Sequence, residues 1–354
     1  MKALILSGGR GTRLRPLTYT SAKQLIPVGG KPVLFYGIEA IKDAGIEEIG
    51  IVIGETGDEI KRAVGDGGKI GVKVTYIHQP EPLGLAHAVK ISRDFLGEEK
   101  FIVYLGDNLI KDNLKKFKEH FEKNKLNSLI LLANVPNPQD FGVAEFKNGK
   151  LVRLIEKPKK PPSDLALVGV YFFDKNIFNA CEEIKPSFRN ELEITDAIQW
   201  LIDHKLKVES LTIKGWWKDT GKPEDLIEAN RFVLEDIEYK VEGEIKNSKI
   251  IGRVKIEKGT KIIESLIRGP AIIKKGTKII KSYIGPFTSI QEECIIENTE
   301  IEDSIIMEKS EIRDVKGRIE MSIIGKEVKI FQDHSRPRIH RFILGDHSDV
   351  RLVE

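Results

Sequence analysis

The chain has 354 residues and a mass of 39.9 kDa, which is more than a single hydrophobic core usually serves, so two domains are expected. Hydrophobic residues make up 40% and charged residues 31%, a composition that excludes disorder as the main state. Lys and Arg number 57 against 54 Asp and Glu, a formal charge of only +3. This balance argues against nonspecific binding of nucleic acids, which needs a clustered basic excess.

The cysteine content and the N-terminus favour a cytoplasmic protein. Cys181 and Cys294 cannot form a disulfide framework, which fits a reducing compartment. Met1 leads directly into a strand-like run without a signal-peptide layout, and apolar stretches such as 129–135 are too short to span a membrane. Abundant Lys, Glu and Ile with few Met and Cys are typical of thermophilic sources.

Short apolar strands alternate with helix-period segments along the first 235 residues. Strands are predicted at 2–6, 49–53, 72–77, 101–105 and 129–135, and helices at 33–44, 55–64, 86–95 and 114–125. This alternation predicts a Rossmann-like α/β domain, residues 1–236, with a mixed, mainly parallel sheet. Ligands of such folds bind at the carboxyl ends of the strands.

Isoleucine then recurs at a step close to six residues, from Ile250 to Ile312. The segment 257–263 also returns, nearly unchanged, as 274–280, seventeen residues later. This period predicts a left-handed hexapeptide β-helix over 237–330, with one inward apolar residue in each short strand. The alternative is an ordinary β-meander, which would alternate with period two. Residues 331–354 are predicted to form a loop-rich tail or cap.

A glycine-rich turn follows the first strand, at Ser7-Gly-Gly-Arg-Gly-Thr-Arg-Leu14. Glycines at this place let backbone N–H groups approach a phosphate, and Arg13 adds a fixed cation. The turn is not a Walker A loop, and Leu14 occupies the third glycine position of a dinucleotide fingerprint. The turn alone therefore predicts phosphate binding without naming the nucleotide.

The continuation of this turn completes the pattern GGxGTRLxPxT…KxxxPVxxKP at Gly8 to Pro32. This pattern resembles the sugar-1-phosphate nucleotidylyltransferases, and Lys23-Gln-Leu25 is similar to the glucose-1-phosphate thymidylyltransferases among them. Further segments match the family in the same order: QPEPLGLA at 79–86, LGDN at 105–108, EKP at 156–158, ELEITD at 191–196 and WKDTG at 217–221. The resemblance covers residues 1 to about 235, and the repeat resembles the long form of the enzyme.

The resemblance implies that a sugar 1-phosphate and a nucleoside triphosphate give a nucleotide-sugar and pyrophosphate. A phosphate oxygen of the sugar attacks the α-phosphorus in line, so positioning and charge neutralisation dominate the catalysis. Mg²⁺ is the expected cofactor. Asp107 and Asp219 are its candidate ligands, because each ends a strand-like run and carboxylates suit this hard cation.

Three cations are the predicted catalytic residues: Arg13 and Lys23 on the triphosphate, and Lys157 on the sugar phosphate. Gln79 is the predicted base reader, since its amide offers a donor and an acceptor to a pyrimidine. The resemblance assigns a larger set to the nucleotide: Gly8, Gly9, Gly11, Thr12, Arg13, Lys23, Gln24, Gln79, Gly84, Leu85 and Asp107. It assigns another set to the hexose: Phe141, Gly142, Glu156, Lys157 and Leu167. Phe141 replaces the family's usual Tyr, and Leu167 a smaller Val.

Several alternatives stay open at this point. The nucleotide is dTTP or UTP, and the sugar is glucose 1-phosphate or a relative such as N-acetylglucosamine 1-phosphate. The repeat is predicted to serve structure or homo-oligomerisation, although hexapeptide β-helices are also found in acyltransferases. A non-catalytic sensor is disfavoured because every predicted catalytic residue is present. His78 and His87 are predicted to have packing or surface roles, the alternative being that a His next to the base-reading Gln tunes it. Both cysteines are predicted to be packing thiols.

Overall fold

The computed structural model describes residues 1–332 and contains two compact units. The sheet unit comprises Met1–Arg10 and Val33–Asp219, and the repeat unit comprises Gly11–Pro32 and the chain from Thr220 onward. The predicted domain boundary at 236/237 stays a prediction, and the predicted tail lies, from residue 333, outside the described residues. Within residues 1–332, no helix combines the length and the apolar character needed to cross a membrane.

Strands and helices alternate through the first 219 residues. The strands are β1 Lys2–Ser7, β2 Pro27–Val28, β3 Lys31–Pro32, β4 Glu48–Ile53, β5 Lys73–His78, β6 Phe101–Leu105, β7 Asn108–Ile110, β8 Ser128–Asn134, β9 Gly142–Lys147, β10 Lys150–Glu156, β11 Leu165–Phe173, β12 Val208–Thr212 and β13 Trp217–Asp219. The helices are α1 Val33–Asp43, α2 Gly57–Val64, α3 Leu85–Ile91, α4 Arg93–Leu96, α5 Leu114–Lys123, α6 Asn176–Glu183 and α7 Ile194–Asp203, and α8 Pro223–Glu235 follows them.

The main sheet has the order β10-β9-β11-β6-β1-β4-β5, with β8 on β11 and β12 on β8. β1, β4, β5 and β6 run parallel, whereas β11 is antiparallel to β6 and β8 is antiparallel to β11. The predicted mixed Rossmann-like sheet is confirmed. Its central strands are apolar on both faces because helices cover them, and β1 is buried from Ala3 to Ser7.

The predicted helices are present with ends shifted by a few residues. The segment predicted as one helix over 86–95 consists of α3 and α4, which meet at Ser92. The Ser92 hydroxyl donates to the carbonyl of Ala88 at 2.7 Å. Such a bond competes with the helical backbone and bends helices, which accounts for the break.

The repeat forms three parallel sheets of very short strands. These strands are β14 Lys240–Val241, β15 Glu244–Lys246, β16 Lys249–Ile251, β17 Val254–Ile256, β18 Lys261–Ile263, β19 Leu266–Arg268, β20 Ala271–Ile273, β21 Lys278–Ile280, β22 Tyr283–Ile284, β23 Thr288–Ile290, β24 Ile295–Glu297, β25 Glu300–Glu302, β26 Ile305–Ile306, β27 Glu311–Arg313, β28 Arg318–Glu320, β29 Ile323–Ile324 and β30 Lys329–Phe331. Every third strand pairs, as in β15-β18-β21-β24-β27-β30. The predicted β-helix is confirmed, and the meander is excluded because all of these pairs are parallel.

Isoleucine rows fill the interior of the β-helix. Ile262, Ile279 and Ile296 occupy equivalent places in successive coils and have 0% exposure. A fully buried isoleucine stabilises a fold by roughly 1.5–3 kcal/mol, so the rows supply most of the apolar stabilisation of the coils. The corners carry left-handed backbone, for example at Glu264 (φ 48°) and Lys281 (φ 47°). Cys294 is buried in this core, as predicted for a packing thiol.

Candidate active site

The carboxyl ends of β1, β4 and β5 meet at Gly8, Gly54 and Gln79. A Cβ at Gly8 would lie 3.0 Å from Oε1 of Gln79, and a Cβ at Gly54 would lie 2.7 Å from the carbonyl oxygen of Gly8. The backbone N–H of Gln79 donates to Ile53, the last residue of β4, at 2.9 Å. The parallel register therefore places two predicted nucleotide-binding residues, Gly8 and Gln79, side by side at one edge of the sheet.

The Gln79 side chain is held by contacts within the sheet unit. The residue is 7% exposed, and its Nε2 donates to the carbonyl of Gly84 at 3.3 Å and lies 3.0 Å from Nδ1 of His87. Burial, with the nearby Lys90 ammonium, lowers the pKa of His87 from its ordinary value. His78 is exposed, as expected, whereas the contact of His87 with Gln79 corresponds to the alternative in which a histidine tunes the predicted base reader.

The backbone conformation of Gly84 and the close approach of Leu192 explain why this position is a glycine. Its φ is +105°, and a Cβ there would lie 2.7 Å from the backbone nitrogen of Leu192. Leu192 also donates its N–H to Leu83 at 2.8 Å and accepts from Ala86 at 3.0 Å. The segment around Leu192 thus supports the start of α3, where Leu85 is the first residue and is half-buried.

Asp107 and Asp219 lie at the same end of a two-stranded antiparallel sheet. Asp219 ends β13 and stands opposite Asn108, the residue after Asp107. Asn108 Nδ2 donates to Asp107 Oδ1 at 3.0 Å, and Trp217 Nε1 donates to Asn108 Oδ1 at 2.6 Å. Asn108, which is buried, therefore orients one candidate metal ligand while β-pairing places the other.

These two carboxylates fit a magnesium ion. Mg²⁺ is commonly bound through one or two carboxylates, with substrate phosphates and water completing the shell. Oδ1 of Asp219 is fully buried, so this oxygen is held in the protein interior. Among residues 1–332, no group of three or more His, Cys, Asp or Glu side chains is arranged to hold a metal. The donor set is thus suited to an ion that takes its remaining ligands from phosphates.

Three side chains converge on Gly142 at the start of β9. A Cβ at Gly142 would lie 2.7 Å from Cγ2 of Thr195, 3.2 Å from Oε2 of Glu156 and 3.7 Å from Cδ1 of Leu167. Gly142 stands opposite Glu156 in the β9–β10 pairing. Three of the residues predicted to bind the hexose are therefore brought together, and Thr195 joins them.

Glu156 carries a perturbed carboxyl group. Burial and the neighbouring Glu193 raise its pKa, while Lys157, Arg189 and a hydrogen bond from Thr195 act in the opposite direction. The Thr195 hydroxyl donates to Oε2 at 3.3 Å, and Nη1 of Arg189 lies 3.9 Å from Oε1. The carboxylate is thus a half-buried acceptor with partial charge compensation, which suits hydrogen bonds from sugar hydroxyls.

Lys157 follows β10 in an unusual backbone conformation. Its φ of +41° is in the left-handed region, which is rare for residues with a side chain. The backbone N–H donates to Phe141 at 3.0 Å, and the Phe141 ring packs edge-on against Trp217 with centroids 5.2 Å apart. The Lys157 side chain is exposed. Strained backbone of this kind concentrates at functional sites.

The remaining residues predicted to bind the nucleotide lie in the Gly11–Pro32 segment of the repeat unit. Gly9 is the exception: it belongs to the sheet unit and is exposed. Gly11 has φ +65° and accepts from the Thr18 hydroxyl at 2.7 Å, which tightens the turn. Thr12 and Arg13 are exposed in a 3₁₀ turn, Thr12–Leu14, and Lys23 begins another, Lys23–Leu25. Gln24 is 1% exposed, and its buried Oε1 has no hydrogen-bond partner among the described residues.

The Gly11–Pro32 segment is connected to the β-helix through Asn230 of α8. Asn230 has 0% exposure; its Oδ1 accepts from the backbone of Gly29 at 2.8 Å, and its Nδ2 donates to the carbonyl of Phe287 at 2.7 Å. A Cβ at Gly30 would lie 2.7 Å from Cδ1 of Ile272. The segment that carries Arg13 and Lys23 is therefore supported by the repeat, a role that was not predicted.

Some residues of the site were missed in the sequence. Asn108 and Thr195 lie inside quoted motifs, so their position beside predicted residues was the available signal. Ser7 gave no such signal: its buried Oγ has no hydrogen-bond partner among residues 1–332 and occupies the space that a Cβ at Gly106 would need. Cys181, in contrast, behaves as predicted, since burial raises its pKa to about 12.

Comparisons with known proteins identify the family of the chain. The chain matches the family model "Nucleotidyl transferase" over residues 2–236. It is 51% identical, over 99% of both chains, to a glucose-1-phosphate thymidylyltransferase of Streptomyces griseus. It is also 37% identical to the bifunctional protein GlmU of Methanocaldococcus jannaschii, over 92% of this chain and 78% of that protein.

A solved structure supports the same assignment for the first part of the chain. It is a Bacillus anthracis protein assigned as a glucose-1-phosphate thymidylyltransferase and crystallised with sucrose. The identity is 37% and the TM-score 0.63, over 68% of this chain and 97% of that one. With the family model covering well over half of the sequence, the chain belongs to the nucleotidyl transferase family.

Proposed function

We propose that this chain transfers a thymidylyl group from dTTP to glucose 1-phosphate, giving dTDP-glucose and pyrophosphate. The observation that carries the proposal is the 51% identity, over nearly the full length of both chains, to a glucose-1-phosphate thymidylyltransferase. A phosphate oxygen of the sugar forms a bond to the α-phosphorus, and the bond from that phosphorus to the β-phosphate oxygen breaks. Pyrophosphate leaves with that electron pair.

On the nucleotide side, we assign Arg13 and Lys23 to the triphosphate, where they stabilise the charge that develops on the leaving pyrophosphate. The exposure of Arg13 in a tight turn, with no side chain at Gly9 or Gly11, supports this assignment. Gln79 reads the base beside Gly8, and we also assign Gln24 to the nucleotide, since its buried Oε1 has no hydrogen-bond partner among the described residues.

On the sugar side, we assign Lys157 to the phosphate and Glu156 to the hexose hydroxyls. The left-handed backbone at Lys157, whose N–H is bound to Phe141, and the exposure of its side chain beside Glu156 support this assignment. Gly142 leaves room for the sugar above Glu156, and Leu167 borders the same space. Together these residues would orient the attacking phosphate oxygen, which is the main contribution that a protein makes to this reaction.

Asp107 and Asp219 would hold Mg²⁺, as the pairing of β7 with β13 and the hydrogen bond from Asn108 support. When bound, the ion supplies positive charge that neutralises the phosphates. The roles of the protein are to fix the two carboxylates and to leave the other coordination positions to the substrates.

Pyrophosphate release measured across dTTP, UTP, CTP, ATP and GTP, each with several sugar 1-phosphates and Mg²⁺, tests the proposal. We expect the highest kcat/KM with dTTP and glucose 1-phosphate. A preference for UTP or for N-acetylglucosamine 1-phosphate would keep the reaction and replace the substrates. A preference for ATP or GTP would overturn the assignment of Gln79 as a pyrimidine reader.

A second activity in the β-helix is the other candidate, because the M. jannaschii relative is described as bifunctional. Hexapeptide acyltransferases commonly use a histidine as general base, whereas residues 237–330 contain none. His334, His340 and His347 lie outside the described residues. Acetyl-CoA consumption with glucosamine 1-phosphate would demonstrate this activity.

Homo-oligomerisation, the cytoplasmic location and the thermophilic source stay predictions.

A further inference from the structure

The orientation of the Gln79 amide is determined by Gly84. A backbone carbonyl can only accept a hydrogen bond, so the group 3.3 Å from the Gly84 oxygen has to be the amide nitrogen of Gln79. The amide oxygen then points the other way, towards the space above Gly8, where a Cβ would lie 3.0 Å from it. The amide thus presents an acceptor at the glycine-rich edge of the sheet.

The second neighbour of the amide nitrogen is the His87 ring. Nδ1 of His87 lies 3.0 Å from Nε2 of Gln79, and two donors cannot share this contact. Nδ1 is therefore the unprotonated nitrogen, and the ring proton is on Nε2. Burial and the Lys90 ammonium lower the pKa of His87, which favours the neutral ring that this contact needs.

These two contacts occupy both N–H groups of the Gln79 amide, so only its oxygen is left for a ligand, instead of the donor and acceptor expected from the sequence. Thymine and uracil carry an N3–H donor, which such an oxygen can accept, whereas N3 of cytosine is an acceptor and would face it with two lone pairs opposed. We propose that His87 is a positioning residue that, by accepting a hydrogen bond from Gln79, holds the amide oxygen towards the base and selects thymine or uracil over cytosine. This inference rests on the proposed nucleotidylyltransferase function.

Two variants separate hydrogen bonding from packing. His87→Leu removes the acceptor but keeps an apolar side chain of similar bulk, and His87→Asn keeps an acceptor near the position of Nδ1. Because a single hydrogen bond is involved, we expect His87→Leu to raise the KM for dTTP and to reduce the preference for dTTP over CTP, each by roughly three- to tenfold. The KM for glucose 1-phosphate should not change. His87→Asn should retain the preference of the unchanged chain.

The measurements are kcat/KM for dTTP and for CTP with all three proteins. An unchanged dTTP-to-CTP ratio in His87→Leu, or equal losses in His87→Leu and His87→Asn, would overturn the proposal in favour of packing. The unchanged chain serves as the test of the underlying function: if it does not use a pyrimidine nucleotide, the proposed function fails first. If it does and the ratio fails to respond, only the role of His87 is wrong.

A measurement on the unchanged chain covers the case in which His87→Leu does not fold. ¹⁵N-labelled histidine spectra, with the His87 signals assigned by their loss in His87→Asn, report the tautomer directly. We expect a neutral His87 with its proton on Nε2 at pH 7.5. A proton on Nδ1 would overturn the proposal, because Nδ1 could not then accept from Gln79.

Discussion

The sheet unit and the repeat unit place their important side chains in different ways. In the repeat unit, each coil repeats the one before it, and Ile262, Ile279 and Ile296 are buried by the same geometry. In the sheet unit, the edge of the sheet depends on single contacts that do not recur, such as Asn108 with Asp107. In the repeat unit the same buried position recurs in every coil, whereas the predicted site of the sheet unit depends on individual hydrogen bonds.

The repeat unit nevertheless contains residues of the predicted site. The segment that carries Arg13 and Lys23 belongs to the repeat unit, and Asn230 links its Gly29 to Phe287 of the β-helix. Arg231, the next residue of α8, donates through Nε to Asp303 Oδ1 at 2.7 Å and also pairs with the second carboxylate oxygen. The regular region thus supports a short irregular segment, while the residues predicted for the site in the sheet unit are held by contacts within that unit.

The largest effect is expected in the sheet unit, from Asp219→Asn. A neutral amide replaces a hard anionic ligand, so turnover at saturating Mg²⁺ should fall by at least about 100-fold while the fold is kept. Steady-state kinetics and circular dichroism measure the two properties. Asp58→Asn, at a side chain that is 92% exposed, is the matched control. Wild-type activity of Asp219→Asn at low Mg²⁺ would contradict the metal assignment.

Lys157→Ala should separate the sugar side from the nucleotide side. A charge-assisted contact to phosphate contributes roughly 1.5–3 kcal/mol, so kcat/KM for glucose 1-phosphate should fall by about tenfold or more, with dTTP affinity unchanged. Arg13→Ala should show the reverse pattern. Lys159→Ala, two residues along and also exposed, is the control. Weaker dTTP binding with unchanged sugar kinetics in Lys157→Ala would show that the two roles are exchanged.

Asn230→Ala tests the support that the repeat gives to the Gly11–Pro32 segment. The change leaves the buried Gly29 N–H and the Phe287 carbonyl without their partner, at a cost of about 1–3 kcal/mol each at most. We expect the KM for dTTP to rise by about threefold or more, while the KM for glucose 1-phosphate stays constant. Glu224→Ala, exposed on the same helix, is the control. Equal changes in both KM values would indicate general destabilisation instead.

The smallest effect is expected from Glu156→Gln, and its sign depends on pH. Since the pKa of Glu156 is raised in the folded state, the ionised carboxylate destabilises the fold above that pKa, and the cost disappears as pH falls towards the ordinary value of 4.5. At neutral pH, Glu156→Gln should therefore have a free energy of unfolding up to about 1 kcal/mol larger than that of the unchanged chain. At pH 4 this difference should be absent. Urea titrations at the two pH values measure this difference.

Glu119→Gln, at an exposed carboxylate of α5, provides the comparison for that measurement and should show no such pH-dependent gain. The KM for glucose 1-phosphate should rise in Glu156→Gln, because an amide is a weaker acceptor of sugar hydroxyls than a carboxylate. A stability difference that is the same at both pH values would show that burial of the charge is not its cause.

Much of the fold could be predicted because its signals are local or periodic. The strands β1, β4, β6 and β8 are largely apolar runs, β5 alternates apolar with polar residues, and the isoleucine step of six residues identifies the β-helix. The family resemblance named Gly142, Glu156 and Leu167, and the structure places the latter two side chains around Gly142. Pairing of β11 with both β6 and β8 could not be predicted, because antiparallel partners are chosen by contacts distant in sequence.

The sequence by itself determined the fold class, the family and the residue types available for the chemistry, since these follow from periodicity and from motifs of adjacent residues. Only the tertiary structure decided that Gly84 has to be glycine because of Leu192, and that Asn230 joins the Gly11–Pro32 segment to the β-helix. The same holds for the tautomer of His87, which depends on Gln79. Each of these depends on a hydrogen bond or a close approach between groups whose geometry is set by packing, and a linear pattern does not encode such geometry.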